Sequence, residues 1–336
     1  MSVPDAAWKQ LLSASVELSG QTPEPASEPP SQQDLEFLQN AMAESFGAAA
    51  SAAPNQPNLY QKFVEFGAKA TLTSAEIADA LEVSERLDDW LAAGMYSSSF
   101  ETDEALNSLL HLTVESENDE VCLAYVSLIP LLAENRPQFQ ENICKHKIFS
   151  EFLTSLDKKL DAKPRILAAV LSAISAIVRS SPEAFKVFVT LKGLQRFENV
   201  VAKYQNDRVA AKAAIILSNI HFSMNDETPN TQTPAFKKLV NTICHVYIEL
   251  KKRHNHIEST GVNDEAEYAF VQEAVQKIVT TITTNIKSTN VDKATKSQLL
   301  EFIGQADAES TDHRQIRAVF TDKPSIPIKG NKSHNK

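Results

Sequence analysis

From about residue 58 to residue 303 apolar side chains recur every three or four positions, with polar residues between them. That spacing gathers the apolar groups on one face of a helix, and no pair of alternating segments predicts strands. Between 265 and 287, Phe270, Ala274, Ile278, Ile282 and Ile286 share one face of a long predicted helix. Thr73-Ser74-Ala75-Glu76 reads as a capping box, with Thr at the N-cap and Glu three residues on. Pro164 and Pro182 each sit where a first helical turn accepts proline. The polar stretches 225–234 and 256–264 predict loops. Ahead of this region, Trp8, Leu11, Leu12, Ser15 and Val16 form one face of a short amphipathic helix over 5–18. Pro23, Pro25, Pro29 and Pro30 mark an extended linker, followed by a predicted helix over 33–46 and an alanine-rich spacer over 47–57. The lysine-rich stretch after Thr321 predicts a disordered tail.

The pattern also repeats at a larger scale. Residues 122–156 realign with 167–201 at a shift of 45, bringing Pro137 onto Pro182, Phe152 onto Phe197 and Ile129 onto Ile174. A shift of 43 carries the second unit onto a third, with Arg165 on Arg208, Ala168 on Ala211 and Ser175 on Ser218. A period of roughly 40 to 47 residues points to stacked helical repeats of the armadillo or HEAT kind. Each unit reads as a long helix (119–134, 164–179, 207–222) followed by a shorter pair. The expected fold is an all-α, armadillo-like, right-handed α-solenoid whose long helices line the concave side. On those helices Arg165, Ala169, Ser172, Ala176 and Arg179 share one face, as do Lys212, Ile215 and Asn219.

Composition narrows the function classes. Only 8 glycines are present, and none lies in a GxxxxGK or GxGxxG phosphate loop. The net charge of −10 is uneven: residues 1–120 hold 21 of 43 acidic but 4 of 33 basic residues. Such polarity steers encounters, whereas a nucleic-acid binder needs a far more basic patch with interleaved aromatics. No basic segment followed by an apolar one opens the chain, so no secretory signal is expected. The longest apolar stretch, 166–178, is too short for a bilayer and is interrupted by Ser172 and Ser175. Cys122, Cys144 and Cys244 are odd in number and far apart, as expected of buried reduced thiols in the cytoplasm.

Local candidates for chemistry are weak. His254-Asn255-His256 offers two imidazoles without a third ligand at a diagnostic spacing, and reads as a solvated loop. Asp88-Asp89 and Asp103-Glu104 are adjacent residues that point in different directions on a helix, so they solvate a surface. Lys251-Lys252-Arg253 reads as a favourable helix end. No catalytic residue, cofactor or metal is expected.

Several segments resemble a known family. Ala133-Glu134-Asn135-Arg136-Pro137-Gln138-Phe139-Gln140 is similar to the family's repeat end. Leu171 to Arg179, followed by Phe188-Val189-Thr190-Leu191-Lys192-Gly193-Leu194, resembles its central signature. Trp8-Lys9-Gln10-Leu11-Leu12 and Ser31 to Leu38 resemble its N-terminal layout. These are marks of the armadillo-type nucleotide exchange factors of heat-shock protein 70, the Hsp70-binding-protein family, and the resemblance covers about residues 5–222. It implies a non-enzymatic, monomeric co-chaperone that clasps the chaperone's nucleotide-binding domain, opens its cleft and releases ADP and then substrate. The resemblance puts a chaperone-contacting basic residue at Lys212, within a contact set of Arg208, Asn219, Arg165, Ser172 and Arg179. A first-repeat contact falls on residues 95–100, where the family's Phe is kept as Phe100 and its small Ala becomes Ser97. The resemblance makes Trp8, Leu11, Leu12 and Val16 a segment that competes with substrate for the chaperone's peptide groove.

The expected organisation is a substrate-release segment over 1–19, a linker with a short helix over 20–57, a solenoid over 58–303 and a flexible tail over 304–336. The clear repeats within the solenoid are 118–160, 161–207 and 208–256. The alternative function is an armadillo adaptor that binds an extended peptide. Such adaptors use ladders of Asn and Trp, whereas only Asn219 fits here and both tryptophans, Trp8 and Trp90, precede the repeats. An enzyme built on an α-solenoid is the third reading, and no motif supports it.

Overall fold

A computed structural model describes residues 56–94, 98–158, 163–227, 233–260, 265–287, 290–305 and 311–321. The expectations for residues 1–55, Ser97 and residues 322–336 lie outside the described residues. The chain divides into a unit over Met1–Asn58 and a unit over Leu59–Lys336, and the architecture below belongs to the second.

Its helices are α1 (Gln56–Gly67), α2 (Ser74–Ala92), α3 (Asp103–Leu110), α4 (Asp119–Ala133), α5 (Pro137–Lys145), α6 (Lys147–Lys158) and α7 (Pro164–Val178). They continue with α8 (Pro182–Thr190), α9 (Gly193–Lys203), α10 (Asp207–Glu227), α11 (Pro234–Thr260), α12 (Glu265–Asn285), α13 (Lys293–Gln305) and α14 (Thr311–Thr321). A 3₁₀ turn, Ser98–Glu101, precedes α3, and a π-helical turn, His111–Glu115, extends it. No strand occurs among the described residues.

The helices stack as three-helix repeats. The 3₁₀ turn, α3 and α4 make the first, α5 to α7 the second, and α8 to α10 the third. The short first elements pack on one another, the second helices α3, α6 and α9 form another row, and α2, α4, α7 and α10 form the third. Two-helix pairs, α11–α12 and α13–α14, carry the second and third rows onward. At every step the third-row helices meet more extensively than the second-row helices. The fold is an armadillo-like α-solenoid.

The turns show why the first three repeats are alike. After α4, Asn135 adopts φ 54° and Arg136 leads into Pro137; after α7, Ser180 adopts φ 63° and Ser181 leads into Pro182. A left-handed residue stops each third helix, and a proline two residues on starts the next one. The third repeat has Ser223 and Asn225 at those positions. With no proline to oppose it, α10 runs on to Glu227, and the expected short pair is replaced by the 27-residue α11. The predicted loop over 256–264 is corrected by the same helix, which continues to Thr260 and buries His254. The predicted loop over 225–234 starts later than expected for the same reason.

Inside, the rows are sealed by apolar residues. Phe188 and Phe197 are fully buried and meet edge to face at 5.5 Å. A Cβ added to Gly193 would stand 2.2 Å from the Phe188 ring, so glycine is required at that turn, directly after Lys192 at φ 59°. All three cysteines are buried and none is in a disulfide. The expected flexible segment 304–336 is corrected in part: α14 lies within it and buries His313, Ile316 and Phe320.

Candidate functional site

The third-row helices bury their sides in strict register. Ala80, Val83, Ser84 and Leu87 of α2 correspond to Tyr125, Leu128, Ile129 and Leu132 of α4, and all eight are buried. Val170, Ala173, Ile174 and Ile177 of α7 and Ala213, Ile216, Leu217 and Ile220 of α10 continue the same phase, again all buried. The register is tied directly, since the Tyr125 hydroxyl donates to the Ala80 carbonyl at 3.0 Å. Along the open side of α4 runs a stripe of Glu120, Ala124, Ser127, Leu131 and Glu134, and the equivalent positions on the more widely exposed α2 are Ala75, Asp79, Glu82, Arg86 and Asp89. On α7 the stripe is Arg165, Ala169, Ser172, Ala176 and Arg179; on α10 it is Arg208, Lys212, Ile215, Asn219 and Phe222.

Side chains hold the helices at both ends of this face. At the N-terminal ends Lys163 pairs with Asp119. At the C-terminal ends the Gln140 amide donates to the carbonyls of Ala176 (2.8 Å) and Arg179 (2.9 Å). The Ser180 N–H donates to the Ser223 hydroxyl at 2.8 Å. The two Gln140 bonds satisfy carbonyls that the end of α7 leaves open. A pocket of about 280 Å³ lies there, lined by Glu134, Asn135, Gln140, Arg179 and Ser180 among others.

The structure therefore brings six of the sequence-derived contact residues onto one surface: Arg165, Ser172, Arg179, Arg208, Lys212 and Asn219. Lys212 stands out because it is half-buried and makes no hydrogen bond or ion pair among the described residues. Loss of solvent alone pulls its ammonium below the usual lysine range. Arg165, Arg179 and Arg208 are exposed and likewise carry no ion pair among the described residues.

Phe100 is a correction. It is 1% exposed and packs among Tyr60 (5.5 Å), Phe63 (5.6 Å) and Trp90 (6.1 Å), so it seals the first repeat and has no surface to offer a partner. A single phenylalanine in a polar stretch reads equally well as an anchor for a partner or for the core, and only packing distinguishes them. Residues missed in the sequence lie on α2. The 45-residue repeat read from Cys122 onward extends one step further back, from Tyr125 to Ala80, which adds Asp79, Glu82 and Asp89 to the face.

His254 is buried beside the Tyr268 ring at 5.2 Å, and no group of three or more metal-ligating side chains occurs among the described residues. Arg253 lies inside α11 and closes a neighbouring helix. Its guanidinium donates to the carbonyls of Val201 and Tyr204 (both 2.6 Å) at the end of α9 and to Asp207 (2.7 Å) at the start of α10. The basic run thus favours a helix end, as expected, but the end belongs to α9. No described helix is long and apolar enough to cross a membrane.

No family model matches this chain, and no curated protein matches it. Among solved structures it is similar to a designed armadillo repeat protein in complex with the peptide (KR)4. That likeness has 15% identity and a TM-score of 0.49, over 80% of this chain and 100% of the other. A second designed armadillo repeat protein shows 15% identity and a TM-score of 0.46 over 78% and 98% of the two chains. The armadillo-like assignment rests on the chain's own three-row repeat.

Proposed function

We propose that the chain is a non-enzymatic scaffold that seats a partner protein on its third-helix face. We propose further that the partner is the nucleotide-binding domain of heat-shock protein 70, whose ADP release it promotes in the cytoplasm, acting as a monomer. The observation that carries the reading is Lys212: a half-buried cation without a partner among the described residues, in a row of helices whose inward residues are all sealed. Leaving an ammonium partly desolvated and unpaired costs stability, and a carboxylate supplied by a partner recovers that cost. The sequence resemblance supplies the identity of the partner. Binding of an extended peptide along the same face is the second reading, favoured by the small residues Ala169, Ser172 and Ala176 at its centre.

Stopped-flow release of a fluorescent ADP analogue from the chaperone tests the proposal. Release accelerates with this protein present, and the isolated protein binds neither ADP nor ATP. An unchanged release rate removes the exchange function. Lys212→Glu is expected to keep the fold and weaken chaperone binding by roughly 2 to 5 kcal/mol. Undiminished binding by a folded variant would move the contact elsewhere. Deleting residues 1–30 should spare ADP release and the melting temperature. The truncation should abolish any acceleration of substrate-peptide release beyond that due to exchange.

A further inference from the structure

The open stripe of the third-row helices has a charge step in its middle. On α2 it holds the carboxylates Asp79, Glu82 and Asp89 against one guanidinium, Arg86, which already lies 3.7 Å from Glu82. On α4 it holds Glu120 and Glu134 and no cation. On α7 the signs reverse, with Arg165 and Arg179 and no carboxylate, and α10 continues with Arg208 and Lys212. The positions are equivalent: Glu120 is replaced by Arg165 and then Arg208, and Glu134 by Arg179. Apart from Glu82 and Arg86, none of these charges has an ion-pair partner among the described residues. Charges that a fold leaves uncompensated on one continuous face, sorted by sign, act on what docks there.

We infer that this face takes its partner in one direction only, with a basic stretch over α2 and α4 and an acidic stretch over α7 and α10. The inference rests on the proposed docking face and adds the partner's charge pattern and polarity. Packed helices lie 8–10 Å apart, so four of them span about 30 Å, the length of about nine extended residues. A uniformly acidic partner would be repelled by half of that span, and a uniformly basic one by the other half. The reversed orientation juxtaposes like charges along its whole length, which excludes it.

Fluorescent model peptides test this on the full chain at low salt, where screening is least. One carries a lysine block, a glycine–serine spacer and a glutamate block; a second has the same composition in alternation. The block peptide is expected to bind about 10-fold more tightly than the alternating one, with the difference lost at high salt. Asp79→Lys with Glu82→Lys, and separately Arg179→Glu with Arg208→Glu, should each abolish the preference. A photo-crosslinker at Ala75→Cys should capture the lysine end. Equal binding of the two peptides, or capture of the glutamate end, overturns the inference. The chaperone is measured separately. If ADP release is unaffected while the block peptide binds in the stated direction, the exchange function fails and the bipolar face stands. If the chaperone binds but ignores reversal at Asp79 and Glu82, the bipolar face fails and the exchange function stands.

Discussion

The part of the stack up to α9 and the part from α10 onward are continuous, yet they are held together differently. Between α3 and α9 the buried side chains are mostly apolar, and the few buried polar ones, such as Thr113, Gln140 and Ser155, find a carbonyl to bond. From residue 218 onward the interior contains Ser218, His221, Tyr247, His254 and His313, each with at least one buried polar atom lacking a hydrogen-bond partner. The two regions even use the same repeat position differently. Asp119 at the start of α4 meets Lys163, with the pair 44% and 73% exposed; Asp207 at the start of α10 meets Arg253, with the pair 24% and 17% exposed. Without a proline at the third repeat's turn, α10 runs on and the 27-residue α11 replaces a short pair, and α11 carries two of these polar groups, Tyr247 and His254, inward.

The largest effect that would break this comparison is at Arg253. Arg253→Ala leaves two carbonyls and the Asp207 carboxylate without their donor, and should cost about 3 kcal/mol. Urea denaturation measures it; a cost below about 1 kcal/mol would make the two links equivalent.

Next in size is pH. Burial pushes the His221 imidazolium down to about 4. The unfolded chain takes up that proton from about pH 6.5 downward, while the native state stays neutral until about 4. The stabilisation is complete above pH 6.5 and falls as pH drops, by about 3 kcal/mol at pH 4. Burial lowers His254 and His313 as well, which adds to the same loss. His245 opposes it: the Glu198 carboxylate, 3.4 Å away, raises its affinity for a proton, so its contribution is present at low pH and fades as pH rises. Urea midpoints at pH 7.5 and 5 should differ, and His221→Phe should reduce the difference. An unchanged pH slope in that variant would refute the assignment.

The two fully buried tyrosines sharpen the contrast at about 1 kcal/mol. Tyr125→Phe loses the bond to the Ala80 carbonyl and should destabilise by about 1 kcal/mol. Tyr247→Phe removes a buried hydroxyl that has no partner, and should be neutral or stabilising by up to about 1 kcal/mol. Thermal melts of both variants check the opposite signs. The smallest effect is expected from Lys163→Ala, at most about 0.5 kcal/mol, because both partners are solvated.

Much of this was readable in the chain itself. The 45- and 43-residue shifts, the prolines at 137 and 182 and the 3.6-residue rhythm determine helices, boundaries and stacking, because each is a local constraint that recurs. The open face of α7 was also readable, since every other position between Arg165 and Arg179 except Ala168 is buried. Tertiary structure decided the rest. It put Phe100 in the core, because an isolated aromatic carries no mark of which surface it meets. It gave α10 and α11 their length, because the absence of a stop signal is no signal in itself. It sent Arg253 to the end of α9, 52 residues away in sequence from Val201. It also joined α2 to α4, and so made a sequence with an acidic start and a basic middle into one face with two signs. Periodicity specifies which side of a helix is buried; which helices then stand side by side depends on packing that no single segment contains.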